Sequence, residues 1–199
     1  IKAGTVQDDI NATNEKRHTL AAQRREFILG TNQFPNFTEK SEGKMPRVKV
    51  CGCGHKEETA YKAINTSRLA ADFETLRIAT ENAGKQPVAF MLTIGNLVWR
   101  QARAQFSCNF LAAAGYKVMD NLGFSSVEEG VDAALAAGAD IVVLCSSDDE
   151  YAEFAVPAYK YLDGRAMFVV AGAPACADEL KAAGIENFIH VKVNQLETL

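Results

Sequence analysis

Groups able to do chemistry are sparse in this 199-residue chain, and they gather in a few places. Cys51-x-Cys53-x-His55, in the stretch CGCGH, is the one cluster of soft ligands. Three such groups could serve zinc, but no second Cys/His pair lies nearby and the spacing is not C-x2-C. The stretch reads as a glycine-rich turn with incidental thiols. Asp148, Asp149, Glu150 and Glu153 crowd together in CSSDDEYAE. A carboxylate pair could do acid–base work. Acids are also favoured at a helix N-terminus by its dipole, where Ser146 or Ser147 could cap. Negative charge at that position would repel a phosphate. Arg100 and Arg103, in WRQAR, could meet an anion, yet their spacing also describes an ordinary helix face, either solvated or in a subunit contact. His18 and His190 have no Cys or Asp partner at nucleophile spacing and read as structural.

The most informative stretch is residues 88–105, VAFMLTIGNLVWRQARAQ. An apolar run, Val88 to Ile94, ends at Gly95 and gives way to helical spacing at Leu97, Val98, Ala102, Phe106 and Phe110. Strand, tight turn and helix start mark the place where an open α/β sheet binds its ligand. At the tip stand Asn96, Leu97, Val98 and Trp99, with no acid, histidine or second glycine. A bulky apolar tip suits neither a phosphate, which needs close backbone approach, nor a metal. Trp99 is the lone tryptophan. It either plugs a vacant site or packs on a partner, and because an indole buries about 150–250 Å2 it is expected to be largely buried.

The elements that position these residues follow from the hydrophobic pattern. Strand-length apolar runs occur at Val88–Thr93, Lys117–Met119, Ile141–Cys145, Met167–Ala171 and Phe188–Val191. Helical patterns lie between them at Trp99–Ala114, Val127–Ala137, Glu150–Leu162 and Cys176–Ala183. Gly115, Gly138, Gly164 and Gly184 follow the helices as C-cap glycines should. Ser125 with Glu128, and Ser126 with Glu129, each fit a capping box. Continuous apolar strands alternating with helices imply a parallel sheet covered on both faces. Right-handed crossovers then favour a five-stranded flavodoxin-like α/β fold of order 2-1-3-4-5 over residues 86–199.

The first 85 residues read differently. Thr13–Arg25 is a charged helix and Phe27–Gly30 a short apolar strand. A polar stretch with two prolines follows, then a short apolar piece at Val48–Cys51 and an amphipathic helix over Ala63–Ala83. These pieces cannot bury a sizeable core alone. Residues 1–50 are therefore expected to be the tail of a preceding domain, and residues 51–85 a linker with a long helix. The chain also lacks an initiator Met, and a missing N-terminal part is expected.

Composition excludes several classes. A net charge of −4 without a long basic run argues against nucleic acid or an anionic membrane as the main partner. No apolar stretch approaches the about 18 residues that span a bilayer, and residues 1–15 carry no signal-peptide core. Five cysteines without framework spacing point to a reducing compartment, cytosol or mitochondrial-type matrix.

Val88–Ala104, its continuation FLAAAGYKVMDNLGFSSVEEGVDAALAAGADIVVLCSS, and the later VPAYKYL and FVVAGAP resemble the cobalamin-binding domain of the methylmalonyl-CoA mutase family. In catalytic members of that family the turn after the first strand reads Asp-x-His-x-x-Gly, and its histidine ligates cobalt. With Gly95 fixing the register, those positions fall on Leu97, Trp99 and Ala102, and all three are replaced. Ser146, Ser147 and Gly172 match features the family retains. REFILGTNQFPNF resembles the last strand unit of that family's (β/α)8 barrel, and ADFETLRIATENAGKQPVAFMLTIGNL resembles its helical linker.

The resemblance implies a degenerate cobalamin-binding-like domain in a non-catalytic subunit of a heterodimeric bacterial mutase. Such a subunit holds no cofactor and no metal itself. Its catalytic large partner binds adenosylcobalamin and isomerises (R)-methylmalonyl-CoA to succinyl-CoA, in the cytoplasm, as part of propionate metabolism. An indole nitrogen has no free lone pair, so Trp99 cannot replace the histidine. Two other readings stand beside this one. One is a module that holds cobalamin without histidine ligation, and the other is a flavodoxin-like domain binding a nucleotide or FMN.

Overall fold

A computed structural model describes residues 3–40, 64 and 66–199. Five strands, β1 (Val88–Thr93), β2 (Lys117–Met119), β3 (Ile141–Cys145), β4 (Met167–Ala171) and β5 (Asn187–Ile189), form one sheet. Every pairing is parallel and the order is β2-β1-β3-β4-β5. This is the flavodoxin-like arrangement the apolar runs imply. β1, β3 and β4 are buried almost throughout, as strands covered on both faces must be. The last strand lies one residue earlier than its hydrophobic pattern suggests and ends at Ile189.

Alternate residues of β1 and β3 enter two different cores. Phe90, Leu92, Val142 and Leu144 face α4 (Val127–Ala136), α5 (Tyr151–Leu162) and α6 (Ala177–Ala182). Ala89, Met91, Ile141, Val143 and Cys145 face α3 (Leu97–Ala112) through Ala104, Cys108, Phe110 and Leu111. Of the two candidate capping boxes, the second forms. Ser126 Oγ accepts from the Glu129 N–H at 3.2 Å, and the Glu129 carboxylate accepts from the Ser125 N–H at 3.0 Å. The four glycines after helices all hold positive φ, from 68° to 96°, which explains why glycine stands there.

The N-terminal part departs from its expected pattern. The charged helix is longer and earlier, α1 (Thr5–Ala22), and the linker helix is shorter, α2 (Ala71–Asn82). Phe27–Gly30 is not a strand, since a single bridge between Leu29 and Gln33 is all that forms there. With no sheet edge beside it among the described residues, the segment satisfies part of its backbone through Asn32. That side chain accepts from the Ile28 N–H and donates to Ala21 O and Glu26 O. Phe27, Leu29, Phe34 and Phe37 remain exposed. Ile28 packs with Ala21, Phe73, Ala113 and Leu196, so this irregular segment leans on the far end of α3. The Arg24 guanidinium lies 4.8 Å over the Phe106 ring, and the Arg77 side chain donates to Asn36 O and Glu39 O. His18 also has a partner, Asp72 Oδ2 at 2.7 Å, a tie between α1 and α2 that their separation in the chain hides.

Candidate functional site

In a sheet of this order the crevice opens at the C-terminal ends of β1 and β3, beside the turns that lead into α3 and α5. The β1–α3 turn is Gly95–Asn96. Gly95 is left-handed, with φ 77°, and Asn96 caps α3 by accepting from the Val98 and Trp99 N–H groups at 3.1 and 3.3 Å. The β3–α5 turn is Ser146–Ser147–Asp148–Asp149–Glu150.

Glu150 fills the space between the two turns. Its carboxylate accepts from Ser146 Oγ at 2.6 Å, Ser147 Oγ at 2.8 Å, the Ser147 N–H at 3.2 Å and the Asn96 N–H at 3.1 Å. The serine hydroxyls do not cap α5, as their position suggests. They point at the acid that opens the helix. Hydrogen bonding to the charged form, led by Ser146 and joined by the Asn96 and Ser147 groups, holds the Glu150 carboxyl down to about 2. Next to it, the buried Tyr151 hydroxyl donates to Ala171 O at 2.5 Å and accepts from the Ser146 N–H at 3.2 Å. Burial raises its pKa.

Two arginines close the flanks. Arg100 donates to Gly95 O at 3.2 Å and Leu122 O at 2.9 Å, clasping the β1–α3 turn to the β2–α4 loop instead of lying on a solvated face. A Cβ on Gly123 would stand 2.6 Å from its Cζ. Arg103 pairs with Asp148 at 2.9 Å and lies 5.8 Å from the Trp99 ring centre. Both Asp148 and Tyr151 come within 3.0 Å of a Cβ built on Gly172. His190 follows β5, and its pKa is lowered by partial burial and by the charges of Lys192 and Arg103.

The residues singled out from the sequence separate into two groups. Ser146, Ser147 and Gly172 line the closed crevice, and Ser146 is fully buried. Leu97, Trp99 and Ala102 lie on the outer face of α3. Trp99 is 52% exposed, and Leu97, Val98 and Leu122 are exposed with it. The expectation of a buried indole is thus corrected, because the helix turns Trp99 outward while Glu150 takes the interior space. Cys108 and Cys145 are buried core thiols, the former pushed up to about 12 by desolvation and the latter raised by the same cause. Cys51, Cys53 and His55 lie outside the described residues. Among the described residues no group of His, Cys, Asp and Glu could hold a metal, and no helix is long and apolar enough to cross a membrane.

These residues do not fit a corrin or its nucleotide tail. The imidazole position carries a donor-only indole facing outward, the space between the turns holds Glu150, and Arg100 closes the flank against Gly95 O and Leu122 O. Two concavities lie at the opposite, N-terminal edge of the sheet. One of about 510 Å3 opens beside Phe37, Gln86 and Lys117, and another of about 400 Å3 beside Tyr116, Met167 and Leu199. Sequence reasoning missed Glu150 as the group that fills the crevice and Arg100 as the clasp on its flank. The available signal was the Ser-Ser pair three and four residues before an acid, a spacing that lets one carboxylate reach back to both.

No protein-family model matches the chain. Over 201 aligned positions, covering 100% of this chain, it is 61% identical to the methylmalonyl-CoA mutase small subunit of Porphyromonas gingivalis. It is 31% identical over 153 positions, 77% of the chain, to the methylmalonyl-CoA mutase small subunit of Streptomyces virginiae. The chain spans 32% and 24% of the lengths of these relatives. Over its whole length, then, it is a homologue of one part of the methylmalonyl-CoA mutase small subunits.

Proposed function

We propose that this chain is part of a non-catalytic, structural subunit of an adenosylcobalamin-dependent methylmalonyl-CoA mutase. In this reading the subunit pairs with a catalytic large subunit. That partner holds the cofactor and performs the isomerisation of methylmalonyl-CoA to succinyl-CoA in cytoplasmic propionate metabolism. The observation that carries the reading is the closed crevice, in which Glu150 occupies the space between the two turns where this fold admits a bound group. The outward Trp99, in the position that the family resemblance assigns to the cobalt ligand, supports it. So do the names of the two relatives. The exposed patch of Leu97, Val98, Trp99 and Leu122 then serves as contact surface in the assembled protein, since apolar groups gathered at one edge gain most when covered.

An absorbance titration of the chain with cobalamin tests the proposal. The expected result is the spectrum of free cofactor at every ratio, and a spectrum of histidine-ligated cobalt would overturn it. Co-purification of the full-length subunit with a large subunit tests the pairing. A small subunit that remains alone at micromolar concentrations of both would refute it.

A further inference from the structure

Four donors from two separate turns converge on one carboxylate: the Ser146 and Ser147 hydroxyls and the Ser147 and Asn96 N–H groups. Gly95 lets the backbone come so near that a Cβ there would lie 2.3 Å from Glu150 Oε2. Backbone approach through a glycine, with N–H and hydroxyl groups aimed at one oxyanion, is how such crevices hold a bound anion. Here the occupant belongs to the chain itself. We infer that Glu150 is an internal ligand: its carboxylate latches the β1–α3 turn to the β3–α5 turn, and with it removed the crevice takes up a small carboxylate from solution.

Tethering favours this occupant over a free anion. A group delivered by the same chain is present at an effective concentration far above that of dissolved competitors. Hydrogen bonds from Ser146, Asn96 and Ser147 favour the charged form, so the acid is ionised at neutral pH. The inference deepens the proposal above by naming what keeps the crevice closed, yet the two fail separately. A Glu150→Ala chain that ignores acetate would refute the latch and leave the structural-subunit reading standing, whereas failure to pair with a large subunit would refute that reading and leave the latch standing.

The test uses Glu150→Ala in the full chain, with acetate as probe and chloride at equal ionic strength as control. Glu150→Ala is expected to unfold at lower temperature than the unaltered chain. Acetate should restore part of that loss saturably and shift the Asn96 and Ser147 amide resonances, while the unaltered chain responds to neither salt. Adding Ser146→Ala should abolish the acetate response. A Glu150→Ala chain without a saturable response, or an unaltered chain stabilised as much, overturns the inference. Should Glu150→Ala not fold, Glu150→Gln keeps the volume but loses the charge. In that variant the Asn96 and Ser147 amides are expected to exchange with solvent several-fold faster, and exchange at the unaltered rate overturns the latch.

Discussion

Glu150 as it lies leaves no room for a side chain at Gly95: an added methyl group would sit 2.3 Å from Oε2 and 2.7 Å from Ser146 Oγ. Gly95→Ala therefore carries two costs, the left-handed backbone at φ 77° and the displacement of the latch. Gly164, at φ 68° with nothing within 4 Å of a built Cβ, carries only the first. Gly164→Ala is expected to lose about 1–2 kcal/mol, and Gly95→Ala about 1 kcal/mol or more beyond that. Urea unfolding followed by circular dichroism compares them. Equal losses would mean that Glu150 swings aside freely.

Acid titration isolates the same carboxylate. Its folded pKa of about 2 lies below the ordinary 4.5. Its contribution is therefore fully present above about pH 4.5 and is lost as pH falls towards 2. Glu150→Gln should be less stable than the unaltered chain at neutral pH, and the gap should narrow steadily below about pH 4.5. Asp140, lowered by its hydrogen bonds from Lys85 and the Val88 N–H, adds its own acid sensitivity to both proteins and cancels in the difference. A gap independent of pH between 5 and 2 would refute the assignment.

Tyr151→Phe keeps the ring and removes the hydroxyl. Ala171 O and the Ser146 N–H are then left in a fully buried environment without that partner. The expected loss is about 1–3 kcal/mol, read as a lower urea midpoint with an unchanged slope. A loss under about 0.5 kcal/mol, the range of ordinary surface changes, would mean that these groups find other partners.

Restoring the family's imidazole alone should not restore a cobalt site. Trp99 is half exposed on the outer face of α3, and Trp99→His leaves Glu150 and Arg100 where they are. The variant is expected to fold with stability within about 0.5 kcal/mol of the original and to leave the cobalamin spectrum unchanged. A histidine-ligated spectrum from this single change would show that the crevice opens without removing the latch.

The sheet was legible because continuous apolar runs report burial on both faces. β1, β2, β3 and β4 lie where those runs place them, and β5 is offset by the exposed Asn187 that begins it. The helix ends were legible through Ser126 and the four left-handed glycines. The segment at Phe27–Gly30 misled because an apolar run reports a wish for burial, not the presence of a neighbouring strand. The crevice was harder still. Leu97, Trp99 and Ala102 show which chemistry is missing. What occupies its place depends on Glu150 reaching back across a turn to Ser146, Ser147 and Asn96, and composition carries no trace of such a reach.

The position of α3 has one more effect. Its 16 residues span about 24 Å, with the Gly95–Asn96 turn at one end and the cluster of Ala21, Phe73 and Ala113 near the other. That separation exceeds the screening distance of about 10 Å in ordinary buffer. No charge of α1 or α2 is among the groups that shift the Glu150 carboxyl. The helix acts as a strut that keeps the N-terminal segment away from the opposite end of the sheet, and energetic penalties imposed at Phe73 and at Glu150 should simply sum.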